Sequence, residues 1–153
     1  MALFWKCFRY CVISSLAGFF LGRLLPKRWF RADRFPFRPY GFEKNGMVYH
    51  IFGIRFWYKR VPDMSKIVPI LMPAKNLSGD YKERLYLLLQ ETCIAEFVHL
   101  VLCLTGFYCL VIWPGLGGGI CTFLYIVFFH FPYIMIQRYN RPRLMKLWQK
   151  TTK

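Results

Sequence analysis

Glu96 and His99 stand three residues apart near the start of the apolar run Ile94–Trp113. Apart from cysteine and tyrosine, no other side chain in that run ionises. An acid and a base in apolar surroundings are costly, so their presence there points to function. At this spacing they share a helix face. A carboxylate beside an imidazole can orient the ring, and the ring can take up and release a proton near neutral pH. The chemistry implied is general acid–base catalysis.

Further polar candidates flank the same region. On a helix, Glu91, Glu96 and His99 fall at about 0°, 140° and 80°, one broad face. The run Gln137-Arg138-Tyr139-Asn140-Arg141-Pro142-Arg143 follows the last apolar stretch. A short turn, Trp113 to Gly119, joins the two apolar segments. They are therefore expected to be antiparallel neighbours, with Glu91, Glu96 and His99 at the depth of residues 132–141. Arg138, Asn140 and Arg141 would then complete a polar site at a membrane boundary. A second account fits the same residues: Glu91 and Glu96 pair with Arg138 and Arg141 and merely fasten the hairpin. The cost of Glu96 and His99 favours chemistry for them, and Arg138 and Arg141 suit either role. His130 is read as a cross-helix hydrogen-bonding residue, and His50 as solvated.

The elements that would position these residues follow from hydropathy. The chain has 153 residues, is 56% hydrophobic and 20% aromatic, and carries 22 Lys and Arg against 7 Asp and Glu, a net charge of +15. High apolarity with strong positive charge is natural for a membrane protein with a basic cytoplasmic face. Nucleic acid is the other partner of a basic chain, but the basic residues flank the apolar runs and no nucleic-acid motif occurs. The pattern predicts an all-α integral membrane protein, one domain over residues 1–153 in the cell membrane. It has about three transmembrane helices, near residues 10–25, 92–113 and 117–136. A basic, aromatic-rich interfacial segment, 27–90, lies between the first two, and a basic tail, 137–153, ends the chain.

Within the interfacial segment, Pro36, Pro39, Pro62, Pro69 and Pro73 forbid one long helix. A short helix is expected at Met47–Phe52, stopped by Gly53, with Ile54–Lys59 extended. Asp80-x-x-Glu83 resembles a capping box that opens a helix running unbroken to Trp113. Thirteen Lys and Arg lie between Lys27 and Arg84, six from Arg138 onward, and none in the Gly-rich turn. The positive-inside rule puts the long segment and tail in the cytoplasm. Lys6 and Arg9 argue against an external N-terminus, so a re-entrant or surface-lying first helix stays open.

The six cysteines show no disulfide or zinc spacing and read as small hydrophobes. Glu-x-x-His is half of a di-iron motif, but no second copy occurs and carboxylates are few. A nucleophile elbow, a P-loop and a dinucleotide glycine pattern are also absent. Neither metal nor other cofactor is expected.

Three blocks carry a family resemblance. They are Phe42-Glu43-Lys44-Asn45-Gly46 with Ile54-Arg55-Phe56-Trp57 and Pro62-Asp63; Glu91-Thr92-Cys93-Ile94-Ala95-Glu96-Phe97-Val98-His99; and Gln137-Arg138-Tyr139-Asn140-Arg141-Pro142-Arg143-Leu144. In order and spacing they resemble the glycosyl-4,4'-diaponeurosporenoate acyltransferase family, over roughly residues 20–148. Tyr58 and His130 depart from the family pattern, where Lys and Asn stand. The resemblance implies a membrane enzyme of staphyloxanthin biosynthesis that moves a fatty acyl group onto a sugar hydroxyl of a glycosylated carotenoid or similar glycolipid. Its partners would be the lipid bilayer, an acyl donor such as acyl-CoA and the glycosylated lipid acceptor, with no nucleic acid. His99 would be the general base and Glu96 its orienting carboxylate. Arg138, Asn140, Arg141 and Glu91 would hold substrate. The alternative is a non-catalytic membrane scaffold or an anionic-lipid-binding subunit of such a pathway.

Overall fold

The computed structural model describes residues 1–58, 60–61 and 81–152. The expectations for Lys59, Pro62-Asp63, Pro69, Pro73 and the Asp80 cap lie outside the described residues. Secondary structure among the described residues is helical, with no strand. The α-helices are α1 Ala2–Leu24, α2 Ile54–Trp57, α3 Tyr81–Gly106, α4 Cys109–Ile112, α5 Leu116–Leu124 and α6 Phe131–Thr152. Short 3-10 helices occupy Lys27–Trp29 and Gly41–His50, and one π-helical stretch, Tyr125–His130, joins α5 to α6. Three stretches, Ala2–Leu24, Tyr81–Ile112 and Leu116–Thr151, are long and apolar enough to cross a membrane.

Several boundaries differ from the sequence expectation, each for a local reason. Helix α1 begins at Ala2, so Lys6 and Arg9 lie inside it; no breaker precedes Pro26, and helix formation does not require a continuous apolar run. Leu25 is extended (φ −65°, ψ 131°) as the residue before proline must be, which ends the helix there. Residues 54–57 are helical, not extended, behind Gly53 at φ 63°. The helix expected to run to Trp113 is interrupted after Gly106. The final helix runs on to Thr152, so the basic tail is helical.

The fold resolves into two compact units. Unit 1 comprises Met1–Leu25 and Ile94–Met135; unit 2 comprises Pro26–Cys93 and Ile136–Lys153.

In unit 1, α1 packs on α4, α5 and the later part of α3. Gly18 and Gly22 permit the approach: a Cβ would lie 2.9 Å from Leu102 Cδ1 at the first and 3.0 Å from Val98 Cγ2 at the second. Small residues spaced by four let helices meet closely. Where α3 breaks, Thr105 O accepts the Tyr108 N–H at 3.0 Å, a tighter turn than the α-helical one, and side chains reach the Thr105 and Gly106 carbonyls as well. Tyr10 Oη donates to Thr105 O at 2.9 Å, and Thr122 Oγ1 to Gly106 O at 3.2 Å. Cys7 and Cys109 are fully buried, and Cys11 Sγ lies 3.6 Å from Cys109 Sγ, all as free thiols. The turn back depends on Gly115, at φ 93°, and on Gly118, whose Cβ would collide with the Trp113 and Cys109 carbonyls.

Unit 2 buries Phe30, Phe37, Ile54, Leu85, Leu89 and Tyr139. The Phe30 and Phe37 rings are 5.7 Å apart, and Gln90 Nε2 donates to Lys27 O at 3.0 Å. Pro36 and Pro39 prevent a regular helix before Gly41, so in this core turns carrying Phe30 and Phe37 accompany helical residues of α2, α3 and α6.

Candidate active site

Among the described residues, each unit contains a cluster of buried polar side chains. In unit 1, α3 supplies Glu96 and His99 and the π-helical stretch supplies His130. The two imidazoles meet through their Nδ1 atoms at 3.0 Å. Pro132 stands two residues beyond the end of this stretch. Its missing N–H and the clash of its ring with the carbonyl four residues earlier disturb the regular ladder, and the wider turn absorbs the disturbance. The result presents His130 to α3. His99 is half-buried and stacks on Tyr133, with centroids 4.8 Å apart and planes at 13°. His130 is 3% exposed and meets the Tyr125 ring edge-on at 4.3 Å. Tyr125 Oη is in turn held 2.9 Å from Ser15 Oγ. Glu96 is buried one helical turn before His99.

In unit 2, the carboxylate is Glu43, in the 3-10 helix. Its Oε1 accepts from Arg138 Nη1 at 2.6 Å and from Tyr49 Oη at 2.7 Å; its Oε2 accepts from the Tyr40 backbone N–H at 3.0 Å. Arg138 Nη2 donates to Pro36 O at 3.0 Å, and the guanidinium lies 4.8 Å from the Tyr40 ring centroid. Arg141 is 1% exposed. Every nitrogen of its guanidinium donates: Nε to Thr92 Oγ1 at 3.0 Å, Nη1 to Phe37 O at 2.7 Å, Nη2 to Thr92 O at 2.9 Å. The planar fork of arginine suits this three-way attachment. Glu91 pairs with Lys27 at 2.9 Å. Asn140 is half-buried. Arg143 lies over the Tyr139 ring at 3.7 Å. His50 is half-buried against the Tyr139 ring at 5.4 Å, not simply solvated. Desolvation, with the charges of Arg55 and Arg143, holds its imidazole below the usual range.

Of the six residues expected at the site, Glu96 and His99 therefore belong to unit 1, and Glu91, Arg138, Asn140 and Arg141 to unit 2. Two residues carry more than the sequence suggested. His130 is the partner of His99, although it read as a bland core histidine. Glu43 anchors the polar network of unit 2. Its signal was available: it is one of 7 acids in the chain and lies in the Phe42–Gly46 block. No group of three or more His, Cys, Asp or Glu converges as metal ligands among the described residues.

The described residues form an all-helical protein with three helices long and apolar enough to cross a membrane. Comparison with known proteins specifies the family. The family model for glycosyl-4,4'-diaponeurosporenoate acyltransferase matches residues 26–150, and the chain belongs to that family. The enzymes of that name from Staphylococcus aureus strains MRSA252 and N315 are each 28% identical over 145 residues, covering 92% of this chain and 85% of their own length. No solved structure matches the chain.

Proposed function

We propose that this acyltransferase moves a fatty acyl group onto a sugar hydroxyl of a glycosylated carotenoid or similar glycolipid, as a multi-pass protein of the cell membrane. The observation that carries the proposal is the half-buried His99, held by a second imidazole in a chain of this family.

The membrane setting is supported by α1, which exposes Trp5, Phe8, Ile13, Leu16, Phe20 and Leu21. In water such a surface would be strongly unfavourable; against lipid tails it is the expected one. A lipid surround also delivers both long-chain substrates sideways, which suits a chain of 153 residues.

His99 acts as general base. Its imidazole takes the proton of the sugar hydroxyl while that oxygen bonds to the acyl carbon. The bond from the acyl carbon to the donor's sulfur or oxygen then breaks, and the leaving group takes the proton. General base catalysis of this kind contributes roughly 10²–10⁴-fold. Glu96, buried one helical turn before His99, is assigned to stabilising the imidazolium. In unit 2, Glu91, Arg138 and Asn140 are assigned to substrate handling, the cation to phosphate oxygens of a donor such as acyl-CoA. Arg141, whose three nitrogens are engaged, is assigned to holding Thr92 and Phe37 where substrate handling needs them.

Mass spectrometry of pigments and glycolipids from cells with and without the gene tests the proposal. The expected result is an acylated glycolipid present only with the gene. Identical lipid and pigment profiles would overturn it.

A further inference from the structure

His130 is the residue whose environment a packing role leaves unexplained. Its Nδ1 is shared with His99 Nδ1 at 3.0 Å, while its Nε2 is buried with no hydrogen-bond partner among the described residues. A histidine used only to fill space would satisfy both nitrogens or be replaced by an apolar ring, because an idle buried polar atom is destabilising. The ring is nevertheless tightly fixed. Tyr125 packs edge-on against it at 4.3 Å, and Tyr125 is itself tied to Ser15. The π-helical stretch that carries it is an irregularity of the kind that concentrates at functional sites.

We propose that His130 is the positioning residue for His99: its Nδ1 accepts the Nδ1–H of His99, which fixes the His99 tautomer and turns Nε2 of His99 toward the substrate hydroxyl. This rests on the assignment of His99 as general base.

An Nδ1–Nδ1 contact requires one ring to donate and the other to accept. A base must keep a lone pair on the nitrogen that meets substrate. His99 is half-buried and His130 is 3% exposed, so His99 Nε2 is the nitrogen with access. Its proton therefore sits on Nδ1, and His130 is the acceptor. During acyl transfer the hydroxyl proton arrives at His99 Nε2, and the imidazolium keeps its Nδ1–H on the neutral His130, a hydrogen bond strengthened by the charge. When the leaving group takes the proton from Nε2, the resting tautomer is restored. The arrangement serves the role that a carboxylate plays in other nucleophile–base–orienter sets. Tyr133, stacked on the His99 ring, limits its rotation.

The test uses the full chain expressed in membranes of cells that make glycosyl-4,4'-diaponeurosporenoate, with acylated pigment measured by mass spectrometry and protein level by immunoblot. His99→Ala, His130→Ala, His130→Asn and His130→Gln are compared. An Asn amide reaches the place of an imidazole Nδ1, whereas a Gln amide reaches that of Nε2. His130→Ala is expected to lose acyl transfer roughly 10- to 100-fold, the effect of one hydrogen bond to a charged group. His130→Asn is expected to stay near wild type, and His130→Gln to resemble the alanine variant. Full activity of His130→Ala beside an inactive His99→Ala overturns the positioning role and leaves the base assignment standing. Full activity of His99→Ala overturns the base assignment itself. Rescue by Gln and not by Asn, or loss in both at normal protein level, also overturns the proposed Nδ1 contact.

Discussion

The buried polar clusters of the two units both carry a cost of burial, yet they meet it differently. In unit 2 the Glu43 oxygens accept three hydrogen bonds, and all three nitrogens of Arg141 donate to fixed protein acceptors. Such a network resembles the interior of any well-packed protein: complete, directional and attached to backbone. In unit 1 two histidines share one contact, and one nitrogen of His130 has no hydrogen-bond partner among the described residues. The difference is one of completeness: the unit 2 side chains are closed by protein partners, whereas the proposed proton carriers of unit 1 are not. A satisfied cluster holds shape, whereas an incompletely satisfied pair of proton carriers is disposed to exchange protons with something else.

The strongest test of that contrast is His99→Ala. Acyl transfer should fall by roughly 10²–10⁴, while the melting temperature in detergent stays close to that of the parent chain. A large fall in melting temperature with proportionate activity would make the imidazole pair architectural and erase the contrast. The converse change is Glu43→Gln. It leaves the Arg138 guanidinium without its counter-charge in a site where the side chains are 13% and 2% exposed. Breaking a buried pair on one side costs about 3–5 kcal/mol, so thermal unfolding should move clearly downward. An unchanged transition would show that the network contributes little to holding unit 2.

Intermediate effects are expected from packing in unit 1. A Cβ at Gly106 would lie 2.8 Å from Tyr125 Cδ1, and that ring is fixed by Ser15 and packs on His130. Gly106→Ala should therefore destabilise by about 1–3 kcal/mol and also reduce acyl transfer, because the ring it displaces supports His130. Activity unchanged beside a lowered melting temperature would separate Tyr125 from the site. The smallest effects belong to the surface of unit 2. Lys27→Ala removes an ion pair with Glu91 whose side chains are 38% and 19% exposed. It should cost no more than about 1 kcal/mol, and less in high salt; a larger, salt-insensitive loss would add Glu91 to the satisfied network. Arg31 holds the Asp33 carboxyl below the usual carboxylate range through a side-chain hydrogen bond. The stabilisation is present at neutral pH and disappears as pH falls through that lowered pKa. Acid titrations of the parent chain and Asp33→Asn, followed by unfolding temperature, should diverge slightly at neutral pH and converge at low pH.

Much of the architecture was legible in the chain. Apolar length and a +15 charge predicted an all-helical protein with three membrane-length helices, because hydropathy is a local property and a helix satisfies its own backbone. Element ends were less legible. Residues 54–57 looked extended because Ile, Phe and Trp favour strands, yet Gly53 supplies a left-handed start and the segment closes into a helical turn. Glu96 and His99 announced themselves by cost alone. Glu43 showed only its rarity as one of 7 acids; its pairing was hidden, since Arg138 is 95 residues away and no local pattern joins them.

Composition and local order thus determined the helices, their apolar character, the family blocks and the suspicion that Glu96 and His99 are functional. Pairing was decided only in three dimensions. Whether His99 meets a carboxylate, a carbonyl or another imidazole depends on helix register and on the wide turn at Tyr125–His130. A shift of one residue rotates a helical side chain by about 100°, so one irregular turn is enough to change which polar groups touch. That sensitivity is why His130 read as a bland histidine in sequence and stands beside His99 in the folded chain.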